Sequence, residues 1–491
     1  MGGRADPTPR HVSARRRIAD NRAMNSPAPA TSFGTLTLPP HVLANLAQLG
    51  YAEMTPIQTA ALPPTLAGQD LIAQAKTGSG KTAAFALAML DKLNARHFGI
   101  QALVLCPTRE LAEQVAVETR RLARAEENIK VLTVVGGVPV RNQLASLEHG
   151  AHVVIGTPGR VLDLLERQAL DLSSLKTLVL DEADRMLDMG FVDDIKAVAS
   201  ACPKTRQTLL FSATYPEGIA KLSQQFMRNP QMVTVESRHS AAQIVQLWYE
   251  AKDQDRLHAV GRLLRHYQPA NTIAFCNTKQ QCRDLVDVLT AEGIQAIALH
   301  GDLEQRDRDQ VLIQFANRSC SVLVATDVAA RGLDVPQLAC VINVDVTYEP
   351  EQHIHRIGRT GRAGEGGLAL NLASLDEMGR VGNIEVLQKS ATEWHKLSEL
   401  DDSSDQPLVA PMVTLQILGG RKEKIRPGDV LGALTKDMGV AGAQIGKINV
   451  TEMSTYVAVE RAIADQVLAK LNAGFVKGKR VRARRIEGVT E

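Results

Sequence analysis

Short apolar runs punctuate the chain, separated by stretches in which apolar residues recur every three or four positions. Leu71-Ile72-Ala73, Leu103-Val104-Leu105, Val153-Val154-Ile155, Leu178-Val179-Leu180 and Leu209-Leu210-Phe211 read as strands buried on both faces. Helical patterns alternate with them, which predicts a parallel α/β sheet over residues 33–235. The alternation resumes with Thr272-Ile273-Ala274-Phe275, Val322-Leu323-Val324 and Val341-Ile342-Asn343, so a second sheet of the same kind is expected over 247–398, the two lobes facing a shared cleft. Beyond residue 412 the pattern changes. Val413–Leu418, Ile448–Val450 and Tyr456–Val459 predict strands, with helices near 427–437 and 461–472, giving a small α+β module of the RNA-recognition type over 412–491. Polar residues 236–246 and acidic residues 399–411 are expected linkers, and residues 1–32, rich in Arg, Ala, Ser and Pro, an expected disordered basic extension.

Composition narrows the class. With 491 residues and 44% hydrophobic content the chain can build several cores. No apolar run is long enough to span a bilayer, and the first residues lack the apolar core of a secretory signal, so a cytoplasmic protein without a membrane partner is expected. The six cysteines form no CxxC pair and sit in or beside apolar runs, which favours buried thiols over disulfides or zinc. The net charge of +2 hides a separation. Residues 1–23 hold six arginines against two aspartates and residues 412–491 fourteen Lys or Arg against eight Asp or Glu, leaving residues 24–411 at −8. An acidic body with basic ends fits an enzyme delivered to nucleic acid by an appendage. Met24 offers a second start, with residues 1–23 as an upstream extension.

The chemistry begins after Leu71-Ile72-Ala73. Ala75-Lys76-Thr77-Gly78-Ser79-Gly80-Lys81-Thr82 runs from a strand into helix-forming Ala83–Leu87, and small residues there let backbone N–H groups close on a triphosphate. Lys81 supplies a point charge to the phosphates and the Thr82 hydroxyl is placed to ligate Mg²⁺; Ala75 stands where the general pattern opens with glycine. One hundred residues past Lys81, Asp181-Glu182-Ala183-Asp184 follows another strand. Carboxylates at that end of a sheet can do chemistry: Asp181 can hold Mg²⁺ through water, and Glu182 can orient or deprotonate an attacking water.

With these two motifs in order, the chain resembles the DEAD-box ATP-dependent RNA helicases, whose motifs spread over residues 33–375. The resemblance implies two RecA-like lobes, ATP with Mg²⁺, and RNA rather than DNA as partner. Phe33 and Gly50–Gln58 resemble the family's Q motif: the Gln58 amide, one donor and one acceptor, would read adenine, with Tyr51 or Phe33 stacking on the ring. Ala75, Thr77, Gly78, Ser79, Gly80, Lys81, Thr82, Gly332 and Asp334 would complete ATP binding. Pro107-Thr108-Arg109, Gly136-Gly137 and Thr157 with Arg160 would line the RNA track of the first lobe, and Thr278, Arg283, Gly301 and Thr326 that of the second; such groups suit a sugar-phosphate backbone and read little base identity. Asp184 with Ser212-Ala213-Thr214, and His355-Arg356, would couple the two sites. In His353–Arg362, Arg359 and Arg362 would act as arginine fingers across the cleft, with His353 standing where the family has an aromatic.

The terminal module is similar to that of the bacterial DbpA helicases at Gly419-Gly420-Arg421-Lys422, Lys424–Asp429 and Ile445–Ile448. This implies recognition of a hairpin in 23S ribosomal RNA on pre-50S particles and a role in assembling the large ribosomal subunit. Tyr456 is the only strand aromatic for base stacking, so Arg421, Lys422, Lys424, Arg426, Lys447, Arg480 and Arg482 are the stronger candidates for RNA contact. A monomer is expected. An ATP-gated RNA clamp, or a cold-shock helicase with broad RNA targets, shares most of these motifs.

Overall fold

The computed structural model describes residues 32–75, 78–235, 244–330, 338–361, 366–401 and 408–486. Thr77, Gly332, Asp334, Arg362, most of the expected linker 236–246 and of the N-terminal extension, and residues 402–407 of the second expected linker lie outside these residues. Lobe 1 holds seven strands: β1 (Leu71–Gln74), β2 (Ala102–Leu105), β3 (Val131–Val134), β4 (Val153–Gly156), β5 (Thr177–Asp181), β6 (Gln207–Ser212) and β7 (Gln231–Thr234). They form one parallel sheet in the order β3-β4-β2-β5-β6-β1-β7, with helices on both faces. Alternate side chains of each strand divide between two cores: Leu71 and Ala73 join Phe85 and Phe211 on one face, and Ile72 joins Leu103, Leu178 and Leu210 on the other.

Lobe 2 repeats this plan strand for strand. Its strands are β8 (Ile244–Glu250), β9 (Thr272–Cys276), β10 (Ala296–Leu299), β11 (Val322–Thr326), β12 (Cys340–Asn343), β13 (Gly367–Ala373) and β14 (Trp394–His395). The parallel order β10-β11-β9-β12-β13-β8-β14 is that of lobe 1 with seven added to every number. β8 begins inside the span expected as a linker. Polar Gln246 does not end the strand, because its amide is matched by His353 and Gln388.

The terminal module is built from β15 (Met412–Ile417), β16 (Ile445–Val450), β17 (Thr455–Glu460), β18 (Phe475–Val476), β19 (Lys479–Arg480) and β20 (Ala483–Arg485). The antiparallel order β16-β17-β15-β20, with the helices Pro427–Gly432 and Ala464–Ala473 in sequence between strands, is the βαββαβ arrangement. Val413, Leu415, Ile417, Val457 and Val459 form its core with Val467 and Leu471. The opposite face meets lobe 2 at Thr414, whose hydroxyl bonds Asn317 and Ser319 at 3.1 and 2.6 Å. The expected linker ends packed: Leu408 and Ala410 are buried, and Arg461 donates to Gln295 of lobe 2 at 2.9 Å.

Candidate active site and nucleic-acid interface

Strand order decides which loops meet. In lobe 1, β5, β6 and β1 are neighbours, so the loop after β1, the carboxylates that begin at the last residue of β5 and Ser212–Thr214 at the end of β6 converge on half of the sheet's C-terminal edge. The other half, β3-β4-β2, carries Gly136-Gly137, Thr157 with Arg160, and Pro107-Thr108-Arg109. Lobe 2 divides the same way: Gly301 and Thr278 follow β10 and β9, and Thr326 ends β11. The expected ATP and RNA residues therefore segregate, although they alternate along the chain.

On the first half, Lys81 opens the helix Lys81–Leu90, buried, with its ammonium donating to the Ala75 carbonyl at 2.9 Å. Gly78 and Gly80 take left-handed backbone (φ 81° and 94°), and a Cβ on Gly80 would lie 2.6 Å from the Gln58 amide nitrogen. Gln58 thus roofs the loop. Its nitrogen donates to the Gly80 carbonyl at 3.1 Å and its oxygen accepts from Thr55 N–H, closing a capping box at the helix Pro56–Leu66. Phe33, itself buried, meets Tyr51 edge-on at 6.1 Å, and the Tyr51 hydroxyl donates to Glu118.

The carboxylates differ in state. Burial, reinforced by the charges of Glu182 and Asp184 and opposed by Lys81, pushes Asp181 up to about 7. Burial presses Glu182 the same way, yet the charges of Arg185, Lys81 and Arg359 hold it below the usual carboxylate range. Its carboxylate pairs with Arg185 at 2.9 Å. Asp184 is likewise held low against its burial, chiefly by the Thr214 N–H; it accepts from Ala213 and Thr214 N–H and the Thr214 hydroxyl at 3.1, 2.9 and 3.0 Å, while Ser212 accepts from its own N–H. Arg359 arrives from lobe 2, buried, its Nε on the His355 carbonyl. Arg356, 1% exposed, pairs with Asp327 at 2.6 Å and donates to Asn277 and the Asp345 carbonyl. Between the lobes a cavity of about 30 Å³, lined by Arg185, Asp188, His355, Arg356 and Arg359 among others, has room for one water.

The lobes also meet at the other end of the cleft. Arg109 lies 3.5 Å from Asp309, and Arg308 lies 3.7 Å from Glu110. Thr108 and Thr278 cap the helices Arg109–Leu122 and Lys279–Ala291 through their hydroxyls, Arg160 donates to the Val138 carbonyl, Arg283 pairs with Asp302, and Gly301 is exposed.

Residues 55–222 match the family described as DEAD/DEAH box helicase, 255–364 the helicase conserved C-terminal domain, and 414–485 the DbpA RNA binding domain. Over 455 residues the chain is 51% identical to the ATP-dependent RNA helicase DbpA of Escherichia coli, 92% of this chain and 99% of that protein. The chain belongs to the DEAD-box ATP-dependent RNA helicases. This helicase, an RNA-dependent ATPase by family, is also 44% identical to the DEAD-box helicase CshA of Streptococcus pneumoniae, over 76% of its own length and 71% of that protein. Among solved structures, S. cerevisiae Dbp5 bound to RNA and ADP BeF3 superposes with a TM-score of 0.69 at 32% identity, covering 77% of this helicase and 97% of that chain. Mss116p bound to ssRNA and AMP-PNP gives 0.65 at 27%, covering 73% and 77%.

In the module of this helicase Arg421, Lys422, Lys424, Arg426, Lys447, Arg480 and Arg482 are all exposed. Tyr456 is not: it is 6% exposed and its hydroxyl accepts from Gln416, so the sheet-face stack expected of it has no open ring. Gln416, opposite it on β15, also bonds Ser454 and Arg484, so the tyrosine is held in a polar cluster within the module. Exposed Phe475, beside the basic β19, carries no sequence motif. Nor does Arg185; its place three residues after Glu182, on the helix Ala183–Asp188, is the signal that could have found it. Among the described residues no helix is long and apolar enough to cross a membrane.

Proposed function

We propose that this helicase locally unwinds short RNA duplexes by hydrolysing ATP in a cleft that RNA helps to close, and that its module directs it to a hairpin of 23S ribosomal RNA during assembly of the large ribosomal subunit. In this reading the loop from Ala75 to Thr82 holds the phosphates, with Lys81 turning from the Ala75 carbonyl to them, and Gln58, Tyr51 and Phe33 border the adenine. The donors suit a magnesium ion: Asp181 is a buried carboxylate pressed by two like charges, which a cation relieves, and Thr82 adds a hydroxyl. Bound there, the ion neutralises charge on the β- and γ-phosphates. Glu182, kept ionised by its three cationic neighbours, takes the proton of the attacking water. Arg359, with Arg362, meets the negative charge that develops on the γ-phosphate.

One observation carries the proposal: Arg359 reaches the neighbourhood of Glu182 only from the opposite lobe, while the same closure ties Arg109 and Glu110 to Asp309 and Arg308 on the RNA side. ATP and RNA then favour one closed form, each raising affinity for the other. The ribosomal target is supported by the match of residues 414–485 to the DbpA RNA binding domain and by the module's exposed basic side chains. ATP hydrolysis is measured without RNA, with generic RNA and with RNA bearing the 23S hairpin, for the full chain and for one ending near Asp405. Selective stimulation by the hairpin that the shorter chain loses is the expected result. Equal stimulation by all RNAs in both chains overturns the ribosomal address, and stimulation without strand separation overturns the unwinding.

A further inference from the structure

A cleft of about 940 Å³ separates lobe 2 from the module, at the upper end of the range, roughly 300–1,000 Å³, in which small-ligand pockets fall. Its lining includes Arg283 and His300, the latter next in sequence to Gly301 on the expected RNA track of lobe 2, and Arg461 and Arg485 of the module. Its walls mix aliphatic and polar side chains, and the charged ones are one carboxylate, Asp287, against three arginines. Two features of the walls ask for an occupant. Gln314 is 4% exposed and lines the cleft, yet its amide nitrogen has no hydrogen-bond partner in the protein, a costly state for a buried donor. Arg461 is fixed by the carbonyls of Ala410 and Met412 and by Gln295, close enough to Arg485 that, after burial, the charge of Arg485 is the next influence lowering its pKa. Neither arginine has a carboxylate partner among the described residues. Two neighbouring guanidinium groups and an unmatched amide donor lining one cleft suit a ligand with repeated anionic oxygens and hydroxyls.

We propose that this cleft holds single-stranded RNA backbone joining the strand on lobe 2 to the element gripped by the module, with Arg461 and Arg485 on phosphates and Gln314 donating to a phosphate or 2′-hydroxyl oxygen. The inference rests on the RNA helicase reading, in which Arg283 lies along RNA. It gives the interface between lobe and module a function: it sets how many nucleotides separate the gripped element from the duplex under attack.

The test uses the full chain and two fluorescent RNAs, a hairpin alone and the hairpin with a ten-nucleotide single-stranded extension. The extension is expected to tighten wild-type binding about tenfold. Arg485→Glu loses that gain, and its plot of log affinity against log salt becomes shallower by about 0.7 for each phosphate it no longer neutralises; Arg485→Lys restores both. Gln314→Met lowers affinity for the extended RNA alone. With 4-thiouridine in the extension, wild-type cross-links fall on peptides containing Gln314 or Arg461. Wild-type affinity and salt slope in Arg485→Glu and Gln314→Met, or cross-links confined to other surfaces, overturn the proposal. A wild-type ATPase indifferent to every RNA overturns the underlying reading instead.

Discussion

Glu182 sits in left-handed backbone (φ 51°), a conformation that costs a non-glycine residue about 1–2 kcal/mol. Arg185 holds its carboxylate there, ionised and buried. Glu182→Gln keeps the shape and removes the base, so kcat falls about 10²- to 10⁴-fold while the KM for ATP stays within about threefold, read from steady-state hydrolysis at saturating RNA. His353 offers a different test. Burial, and after it Arg356, lower its pKa from 6.5 to about 3, its ring stacks on Trp248 at 5.5 Å, and it touches Gln246. The unfolded chain therefore takes up a proton near pH 6.5 that the folded chain refuses until about pH 3. Stability is full above 6.5 and falls as pH drops, by about 1.4 kcal/mol per unit. His355, lowered to about 4 by burial and then by Arg185, adds a loss of the same sign. In His353→Phe the decline between pH 6.5 and 5, followed by urea unfolding, becomes shallower by up to that amount; an unchanged slope refutes the assignment.

At the scale of elements, lobe 2 hangs on a buried ion network. Arg256 is the first residue of the helix Arg256–Tyr267 that follows β8; it pairs with Asp345 at 2.9 Å, Glu377 at 2.6 Å and Asp253 at 2.9 Å. Asp345 also accepts from Asn277 N–H and Gln281, and Asn277 accepts from Arg356, so loop ends from β9 and β12 and the helix Pro350–Ile357 share one set of bonds. Arg256→Met takes the shared cation from two buried carboxylates, leaving Glu377 only the more distant Arg380 at 3.5 Å, and lowers lobe stability by about 3–5 kcal/mol, measurable by denaturant unfolding. Restoring neutrality with Glu377→Gln recovers part of that stability. None of this network was legible in the sequence. Arg256, Asp345 and Glu377 are separated by 89 and 32 residues and carry no motif; only the sheet order brings them together. What was legible were contacts within one loop, such as Gly78 to Lys81, or between loops whose spacing is known from the family, such as Asp184 and Ser212–Thr214. The same distinction explains Tyr456. Its strand was readable from alternation, but the bonds that bury it run through Gln416, 40 residues away, to Ser454 and Arg484.

Across the whole molecule the closed cleft is latched twice, at Arg359 beside Glu182 and at the pairs Arg308–Glu110 and Arg109–Asp309. The second latch is half-buried and reciprocal in charge. Arg308→Glu opposes closure by about 1 kcal/mol or more, raising several-fold the RNA needed for half-maximal ATPase, and adding Glu110→Arg recovers most of the deficit. A fluorophore pair across the lobes should report the same order of closure; a double variant no better than Arg308→Glu argues against a direct pair.

The duplicated sheet has a consequence for stoichiometry. In lobe 1 the helix after the first strand opens with Lys81; in lobe 2 the corresponding helix opens with Arg256, its charge already satisfied by Asp345 and Glu377. The second copy therefore occupies its own would-be phosphate place with internal carboxylates. Titration with a non-hydrolysable ATP analogue should saturate at one per chain. A chain with one nucleotide seat and a facing lobe that supplies the finger is expected to couple each ATP bound to one closure of the cleft.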